Sequence, residues 1–568
     1  MHRVHARRAA RTAPATAFVS APEPRTIGSV ARGRQLIAGN FLFSGLLVEG
    51  PQMSIWDIAS PADAVAAEVQ GCAWLDDLAA VGTDRARKKA QTWVFDWIAR
   101  YGKGTGPGWT PDLVGRRLIR WINHGFFLLH KQDKDASDQF FRSLGQQLVF
   151  LSRRWSVTPP GLSRFEALAG TIYAGLSLEG MGPHVDRAVA ALAADCAEQI
   201  DPDGAIASRN PEELLEILSL LNWTLQALSE TGRRVPPAML EAVERIAPTL
   251  RALRHADGGL ARFHGGGRGL DGRLDEALAA SGIKTLPEPG LHMGYLRMTG
   301  GRSTVIVDAA PPPTGPASAN AHASTLAFEL TSGRRPLIVN CGSGARFGDE
   351  WRRASRATPS HATLGIEGVS SSHLARGSKL GTVEEYLSDV PGDVRCKPAD
   401  ADGSRQHELS HDGYRASHGL THARLLDLSV DGRTLEGEDL LVALNPEDEA
   451  LFDAALDTTS LQGIAFSIRF HLDPDVQASL DMGDRAVALT LKSGETWVFR
   501  HDGAAALSLA PSVYLQNGRL KPRATQQVVL SGRAMAYATR IRWSLAKTQD
   551  TPDVVRDLVQ ADPVDLTD

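Results

Sequence analysis

The sequence predicts a two-domain α+β protein with a helical first half and an antiparallel β second half. Apolar residues recur at helical spacing from about residue 61 to residue 254, as at Trp93, Val94 and Trp97. After residue 290 the pattern becomes short alternating runs, such as Ser303-Thr-Val-Ile-Val307. Because the period changes once along the chain, we expect helices before this point and strands after it.

Length and composition agree with two large domains. The chain has 568 residues, which exceeds one ordinary hydrophobic core, and 43% hydrophobic with 22% charged residues is typical of a globular protein. A net charge of −5 argues against general nucleic-acid binding, although a local basic cleft for an acidic sugar chain remains compatible with it. No apolar run approaches the roughly 20 residues of a membrane-spanning helix. The four cysteines lie far apart without a CxxC pair, which disfavours a disulfide framework or a cysteine zinc ribbon.

The chain divides into four predicted segments. Residues 1–35 carry seven arginines against one acid, Glu23, and are expected to form a disordered basic arm without the apolar core of a signal peptide. Residues 36–290 form the helical domain, residues 291–548 the β domain, and residues 549–568 an acidic tail.

Two histidines mark the most informative part of the β domain. His322 precedes an alternating strand, Asn340 ends the next strand, and His361 enters a third. Side chains at neighbouring strand edges converge in a sheet, so these three residues are expected to meet at one metal ion or one anionic substrate.

These segments resemble the C-terminal domain of the heparinase II/III-like polysaccharide lyases. In that family a His-x-His-Ala-Asp-x-Leu-Ser-Phe strand precedes Asp-Pro-Gly and Arg-Ser-Thr-x-x-His-Asn-Thr segments. The matching stretches here are Asn320–Leu330, Leu337–Gly342 and Arg356–Gly368, and weaker matches such as Asp257–Leu260 extend along nearly the whole chain. The resemblance implies an incomplete (α/α) toroid followed by an antiparallel β-sandwich, and β-elimination on an acidic polysaccharide.

The resemblance also implies a zinc site. His322 and His361 match two zinc ligands of the family, and the position of the third, an aspartate, holds Asn340. Imidazoles bind zinc well, whereas an amide oxygen is a poor substitute for a carboxylate, so any zinc is expected to be held weakly. The alternative is that the two histidines hydrogen-bond and only pin the sheet.

The catalytic groups of the family match less well. A uronic-acid lyase must neutralise a sugar carboxylate, remove the proton beside it, and protonate the departing oxygen. The family's first His is Asn320 here, its Asn-His helix reads Leu162-Ser-Arg-Phe165, and its Tyr segment reads Asn210-Pro-Glu-Glu213. The three groups that perform elimination are therefore replaced.

Nearby residues offer substitutes. Arg164 and Arg209 are candidates for binding a carboxylate or sulfate, and Glu213 or His264 for transferring the proton, with Asn320 in the position of the base. The alternatives are structural: an arginine at a helix end, a solvated glutamate and a turn histidine.

The expected function is that of a polysaccharide lyase cleaving a uronic-acid-containing substrate. Two alternatives stay open: a non-catalytic acidic-glycan-binding protein of the cell envelope, and a glycan-acting enzyme of another reaction type that uses carboxylates such as Glu213 for hydrolysis. The resemblance points to the periplasm or cell envelope, while the lack of a visible signal peptide leaves the cytoplasm open.

Overall fold

A computed structural model describes residues 1–12, 15–20, 23–59, 63–379, 382–399, 406–516 and 518–550. Its first half is helical apart from one hairpin. The helices are α1 (His2–Ala9), α2 (Val30–Ala38), α3 (Asp63–Gln70), α4 (Trp74–Val81), α5 (Asp84–Tyr101), α6 (Pro111–Asn123), α7 (Gly125–Leu129), α8 (Lys134–Arg154), α9 (Leu162–Ser177), α10 (Val185–Gln199), α11 (Pro211–Glu230), α12 (Pro237–Ala252) and α13 (Arg273–Ala280). The hairpin pairs β1 (Asn40–Phe43) with β2 (Leu46–Glu49).

Capping side chains set the start of several helices. Asp133 accepts a hydrogen bond from the Ala136 amide at the start of α8. The Asn210 side chain accepts from the amides of the second and third residues of α11. Pro211 is the first residue of α11, where its missing N–H has no partner to lose. The start of α11 is therefore fixed, and it lies beside the candidate site.

Glycines set the distance between two central helices. Where α6 crosses α9, a Cβ atom on Gly115 would lie 2.2 Å from the carbonyl oxygen of Glu166. A Cβ atom on Gly170 would in turn lie 2.5 Å from the Gly115 Cα. Edge-to-face packing of Trp97 on Trp121, with ring centroids 5.4 Å apart, fills the core nearby.

The second half is built mainly from strands. They are β3 (Leu291–His292), β4 (Tyr295–Gly300), β5 (Ser303–Asp308), β6 (Phe328–Ser332), β7 (Arg335–Val339), β8 (Leu364–Ile366), β9 (His373–Lys379), β10 (Thr382–Ser388), β11 (Val394–Pro398), β12 (Gln406–Tyr414), β13 (Leu420–Leu428), β14 (Thr434–Val442), β15 (Ile464–Leu472), β16 (Gln477–Asp481), β17 (Ala486–Thr490), β18 (Thr496–His501), β19 (Ala506–Tyr514), β20 (Arg523–Ala534) and β21 (Ala538–Gln549). Short helices α14 (Asp349–Ala354), α15 (Arg415–His418) and α16 (Pro446–Thr458) lie between them.

The strands pair antiparallel into two large sheets. The joint sheet has the order β19-β20-β15-β7-β6-β5-β4-β3, with β8 also paired to β15. The outer sheet has the order β11-β12-β13-β14-β21-β18-β17-β16, and β9 pairs with β10 in a separate hairpin. Tyr295 and Ile306 of the first sheet belong to the hydrophobic core of the helical region. We call it the joint sheet because it forms the contact between the helices and the strands.

The two sheets share a hydrophobic core of aromatic side chains. The Trp543 ring centroid of the outer sheet lies 4.7 Å from that of Phe470 and 5.8 Å from that of Phe328 in the joint sheet. Gly437 makes room for this tryptophan, because a Cβ atom there would lie 2.1 Å from the ring. The indole thus bridges the sheets at their centre.

The predicted change from helices to antiparallel strands is confirmed, and two details differ. Residues 40–49 form a hairpin inside the predicted helical domain. Helix α1 packs against α8 where a disordered arm was expected, because the fully buried Ala6 and Ala9 let this short helix lie close to its neighbour. The predicted tail falls mostly on residues 551–568, which lie outside the described residues, and the domain boundaries stay predictions. In the described part of the chain, no helix is long and apolar enough to cross a membrane.

We expect Gly115→Ala to lower the free energy of unfolding by about 2–3 kcal/mol, because the new methyl group must push α6 away from the α9 backbone. Urea unfolding followed by circular dichroism measures this change. Gly392→Ala is the matched control, since its Cβ atom would meet only the Asp412 side chain at 4.0 Å. Equal unfolding midpoints for the two variants would contradict the close helix contact.

Candidate functional site at the joint of helices and sheet

Two imidazole rings form the centre of the site. His322 Nδ1 lies 3.0 Å from His361 Nε2, and both side chains are buried. His361 Nδ1 donates to the carbonyl oxygen of Ala357 at 2.9 Å, so its Nε2 accepts and His322 Nδ1 donates. Burial lowers the pKa of His361 to about 4 and the pKa of His322 well below its ordinary value. Both rings are therefore neutral near pH 7.

Asn340 is the third predicted metal ligand, but its side-chain oxygen is hydrogen-bonded to the backbone. Its Oδ1 accepts from the Ala362 amide at 2.9 Å, while its buried Nδ2 has no hydrogen-bond partner. Zinc needs lone pairs directed at one point, usually from at least three protein ligands. Here two imidazole nitrogens bond to each other and the amide oxygen bonds to a backbone N–H. In the described segments, no group of three or more His, Cys, Asp or Glu side chains is placed to hold a metal. The residues fit zinc poorly, and zinc binding stays a prediction.

Arg209 is bound to Asp308, a fully buried carboxylate at the end of β5. Arg209 Nη2 donates to Asp308 Oδ1 at 2.6 Å. Its other four N–H groups donate to the carbonyl oxygens of Met293, Gly294, Ala310 and Pro311. A guanidinium has five N–H donors, so all of them are used. To hold a substrate carboxylate, Arg209 would have to break one of these bonds.

His264 connects Asp308 to the histidine pair. Its Nδ1 accepts from the His322 amide at 3.2 Å, and its Nε2 lies 3.3 Å from Asp308 Oδ2. Ser324 Oγ donates to the same carboxylate oxygen at 2.7 Å. Burial alone would raise the pKa of Asp308, but Arg209 and then His264 hold it well below its usual range. Burial also lowers the pKa of His264 itself, despite the adjacent carboxylate.

Asn320 is the exposed member of the site. It lies over the glycine turn that follows His264, since a Cβ atom on Gly265 would be 2.9 Å from the Asn320 Cβ. The other side of this turn faces α11, where a Cβ atom on Gly266 would be 2.4 Å from Asn210 Oδ1. Only glycines fit between these two asparagines. The turn therefore binds the helical region closely to the segment before β6.

The remaining two predicted residues have other partners. Glu213 Oε2 accepts from Ser208 Oγ at 2.6 Å, and burial raises the pKa of Glu213. Arg164 donates twice to the Thr158 carbonyl oxygen, at 2.9 and 2.7 Å. The structure thus joins Arg209, His264, His322 and His361 in one network bordered by Asn340 and Asn320, while Glu213 and Arg164 make contacts elsewhere. Their catalytic, binding and metal roles stay predictions.

A second buried carboxylate escaped the sequence analysis. Glu329 in β6 accepts from Arg262 Nε at 3.1 Å and lies 3.0 Å from His255 Nε2. The sequence carried a signal for it, because Glu329 stands between Phe328 and Leu330 in a buried strand. Asp308 likewise ends an apolar strand. An acid in such a run is buried and therefore needs a cation.

The backbone is strained at this joint. Non-glycine residues with left-handed conformations include Arg209 at φ 50°, His264 at 47°, Met293 at 52° and Leu326 at 64°. Each such residue costs on the order of 1–3 kcal/mol and persists only where surrounding contacts hold it.

Comparisons with known proteins agree with this architecture. Residues 283–544 match the family model described as heparinase II/III-like, C-terminal. A relative, FtsZ-localized protein C of Caulobacter vibrioides (strain NA1000 / CB15N), is 32% identical over 539 residues, covering 93% of this chain and 89% of that protein. The chain belongs to the heparinase II/III-like polysaccharide lyase family. The family predicted from the sequence is confirmed.

Solved structures extend the likeness to both halves of the fold. A heparinase III structure matches with a TM-score of 0.68 at 12% identity, covering 95% of this chain and 88% of that one. The heparan sulfate lyase HepC from Pedobacter heparinus matches with a TM-score of 0.54 at 13% identity, covering 97% and 88%. Identities this low establish a shared fold, and function must be argued from the site.

We expect Asp308→Asn to lower the free energy of unfolding by about 3–5 kcal/mol, because Arg209 would keep a buried charge without its counter-charge. The folded-state pKa of Asp308 lies below its ordinary value, so its stabilisation is complete above about pH 4 and is lost as the pH falls further. The difference between wild type and variant should therefore shrink in acid. Urea titrations at several pH values measure it.

Asp389→Asn is the control for this prediction, since that carboxylate is 78% exposed. It should leave the unfolding midpoint nearly unchanged. An Asp308→Asn protein as stable as the control would show that the buried ion pair does not hold the joint.

We expect Asn340→Asp to bind zinc more tightly than the wild type, because a carboxylate adds a charged oxygen ligand beside the two imidazoles. Metal analysis after dialysis against zinc, together with the zinc-dependent rise in melting temperature, measures the gain. The gain should disappear in an added His322→Ala, His361→Ala background. Equal zinc affinity with and without Asn340→Asp would contradict a shared metal position.

Proposed function

We propose that this protein binds an acidic polysaccharide and does not cleave it by β-elimination. The observation that carries the proposal is the complete use of Arg209, whose N–H groups all bond within the protein. A lyase needs a group that neutralises the sugar carboxylate, and also a base and an acid that reach the substrate. The exposed amide of Asn320 can serve only the first of these needs. The family fold supports glycan binding.

The other candidate groups support the same proposal. His264 is buried between Asp308 and the His322 amide, so it does not face a substrate. Asn320 is exposed but carries an amide, which neither takes up nor releases a proton near neutral pH. Glu213 accepts a hydrogen bond from Ser208, which lies just before α11. Hydrolysis through Glu213, the alternative enzyme reaction, has no second carboxylate assigned to it.

The proposal includes a finer architecture. The helical region is an incomplete (α/α) toroid, supported by the way α9 packs against α6, α8, α10 and α11 in one continuous core. Zinc, if it binds, belongs at His322 and His361, where it would tie two loops together. The resemblance places the proposed location in the periplasm or cell envelope, and the cytoplasm is the alternative.

Incubation with a panel of acidic polysaccharides tests the proposal. Cleavage by β-elimination creates an unsaturated uronic product that absorbs ultraviolet light, and we expect none, together with measurable binding by calorimetry. Glu213→Gln should then change affinity at most, whereas His264→Ala and Arg209→Ala also remove partners of the buried Asp308 and are compared only where circular dichroism shows that they remain folded. Product formation that falls about 10²–10⁴-fold in Glu213→Gln or His264→Ala would establish a lyase and overturn the proposal.

A second candidate function comes from the relative named FtsZ-localized protein C. Its 32% identity extends over 93% of this chain, so both halves of the fold correspond. This candidate is a protein that localises with FtsZ and uses the lyase fold as a binding scaffold.

Fluorescence microscopy tests the second candidate. A fusion of the full chain to a fluorescent protein, in cells that carry a differently labelled FtsZ, should overlap with FtsZ. The fluorescent protein alone is the control. A diffuse fusion in cells with well-localised FtsZ would exclude this candidate and leave the glycan proposal untouched.

A further inference from the structure

An open groove lies on the joint sheet, on the face turned away from the core between the two sheets. It has a volume of about 420 Å³, and its lining residues come from β8, β15, β20 and the loops beside these strands. Ile468 and Phe470 of β15 belong to the core between the sheets. Because side chains alternate along a strand, Ala465, Ser467 and Arg469 face the groove. Its volume is in the range of pockets that hold small ligands.

Small polar residues form the floor of this groove. Ser467 of β15 lies opposite Gly365 of β8 on one side and opposite Ser531 of β20 on the other. The two hydroxyl oxygens are 3.5 Å apart, and either of them can donate to the other. Each hydroxyl has one donor and two acceptor positions, so the pair keeps capacity for a ligand. Side chains this short leave room for the ligand to lie close to the sheet.

Arg469 stands at one end of the floor as a cation without a counter-charge. Its side chain is half-buried, and burial lowers its pKa, although a guanidinium stays charged near pH 7. Among the residues that the structure describes, Arg469 donates from Nη1 to Gln527 Oε1 at 3.3 Å and forms no ion pair. A charge partly removed from water is stabilised by an opposite charge. Most of its five N–H donors therefore remain for an anionic group of a ligand.

An acid stands at the other end of the floor. The Glu367 amide donates to the carbonyl oxygen of Ala465 at 2.9 Å, which places Glu367 beside that residue of β15. Ala465 precedes Arg469 by four residues, so the acid and the arginine are separated by roughly 13 Å along the strand. Glu367 is exposed, and it has no ion pair within the described ranges. The groove therefore has a cation at one end and an anion at the other.

A second arginine beside this acid is held by the backbone. Arg533 of β20 lies opposite Ala465 on the other side of β15. Its Nη1 donates to the carbonyl oxygens of Gln462 and Gly463, at 3.2 and 3.3 Å. These bonds hold the guanidinium at the turn before β15, which leaves the Glu367 carboxylate open to a cationic group of a ligand.

Opposite charges at the two ends of a groove with a hydroxyl floor fit an extended peptide whose two ends are free. Its α-carboxylate would bind Arg469 and its α-ammonium would bind Glu367, both through charge-assisted hydrogen bonds. Its amide groups would bond to the hydroxyls of Ser467 and Ser531. An extended chain spans at most about 3.3–3.6 Å per residue, so about four residues bridge the groove. A polyanionic chain would instead be repelled by Glu367.

We propose that this groove binds a short peptide, about four residues long, with a free amine and a free carboxylate. The groove lies on strands outside the network of His264, His322 and His361. The inference goes beyond glycan binding and does not depend on it.

Calorimetry of the full chain with tetraalanine tests the proposal. The matched ligands are the C-amidated form, the N-acetylated form and dialanine. The wild type should bind tetraalanine at least tenfold more tightly than the C-amide, because the amide loses a charge-assisted contact with Arg469. The N-acetylated form should also bind more weakly, since it cannot pair with Glu367. Dialanine should bind more weakly because it is too short to reach both ends.

Two variants show whether the contacts are direct. Arg469→Gln should lower the affinity for tetraalanine at least tenfold and leave the affinity for the C-amide unchanged, because that ligand has already lost this contact. Glu367→Gln should behave in the same way towards the N-acetylated form. Arg485→Gln removes an exposed arginine between β16 and β17 of the outer sheet and should leave all affinities unchanged.

Equal affinity of the wild type for tetraalanine and its C-amide would overturn the proposal, as would the absence of binding. Heparin hexasaccharide separates a peptide groove from a groove for polyanions. Hexasaccharide binding that is lost in Arg469→Gln and strengthened in Glu367→Gln would also overturn the peptide. Hexasaccharide binding that Arg469→Gln leaves unchanged would support the proposed glycan function at another place, whatever the result with tetraalanine.

Discussion

Two carboxylates buried in the joint sheet, Asp308 and Glu329, hold the helical region against the sheet. Each receives one arginine and one histidine from loops of the helical region, with Arg209 on the first and Arg262 on the second. A buried charge deprived of its partner costs several kcal/mol. Moving the two halves apart would strand four charged groups in an apolar contact, so these pairs set the geometry on which the site depends.

The requirement that a buried charge has a partner of opposite charge also applies between the two large sheets. Arg424 of β13 is buried, and it donates to both carboxylate oxygens of Asp439 at 2.8 and 3.1 Å. Its Nη1 also donates to the carbonyl oxygens of Leu326 and Ala362, at 2.8 and 2.9 Å. These carbonyls belong to the loops that carry the two site histidines. A charge pair held by the outer sheet therefore fixes where those imidazoles stand in the joint sheet.

Arginine and histidine side chains of the kind that act in active sites have structural contacts here, because each is hydrogen-bonded within the protein. Arg209 uses every donor, and the two site histidines bond to each other. The amide of Asn320 remains exposed at the joint. The family fold is thus retained while the candidate substitutes for its reactive groups are bonded within the protein, and the proposal of glycan binding without elimination rests on this arrangement.

The sequence by itself determined the change from helices to strands, the family, and the meeting of His322 and His361, because strand period and motif order are local patterns. It did not determine the use of Arg209, since its partner Asp308 is 99 residues away and no local pattern links them. The docking of α1 on α8 and the hydrogen bonds from Thr26 and Ser29 to α4 were not predicted either. Only the tertiary structure decides such pairings. Folding brings charged residues that are distant in sequence into the interior, and each buried charge then needs a partner of opposite charge.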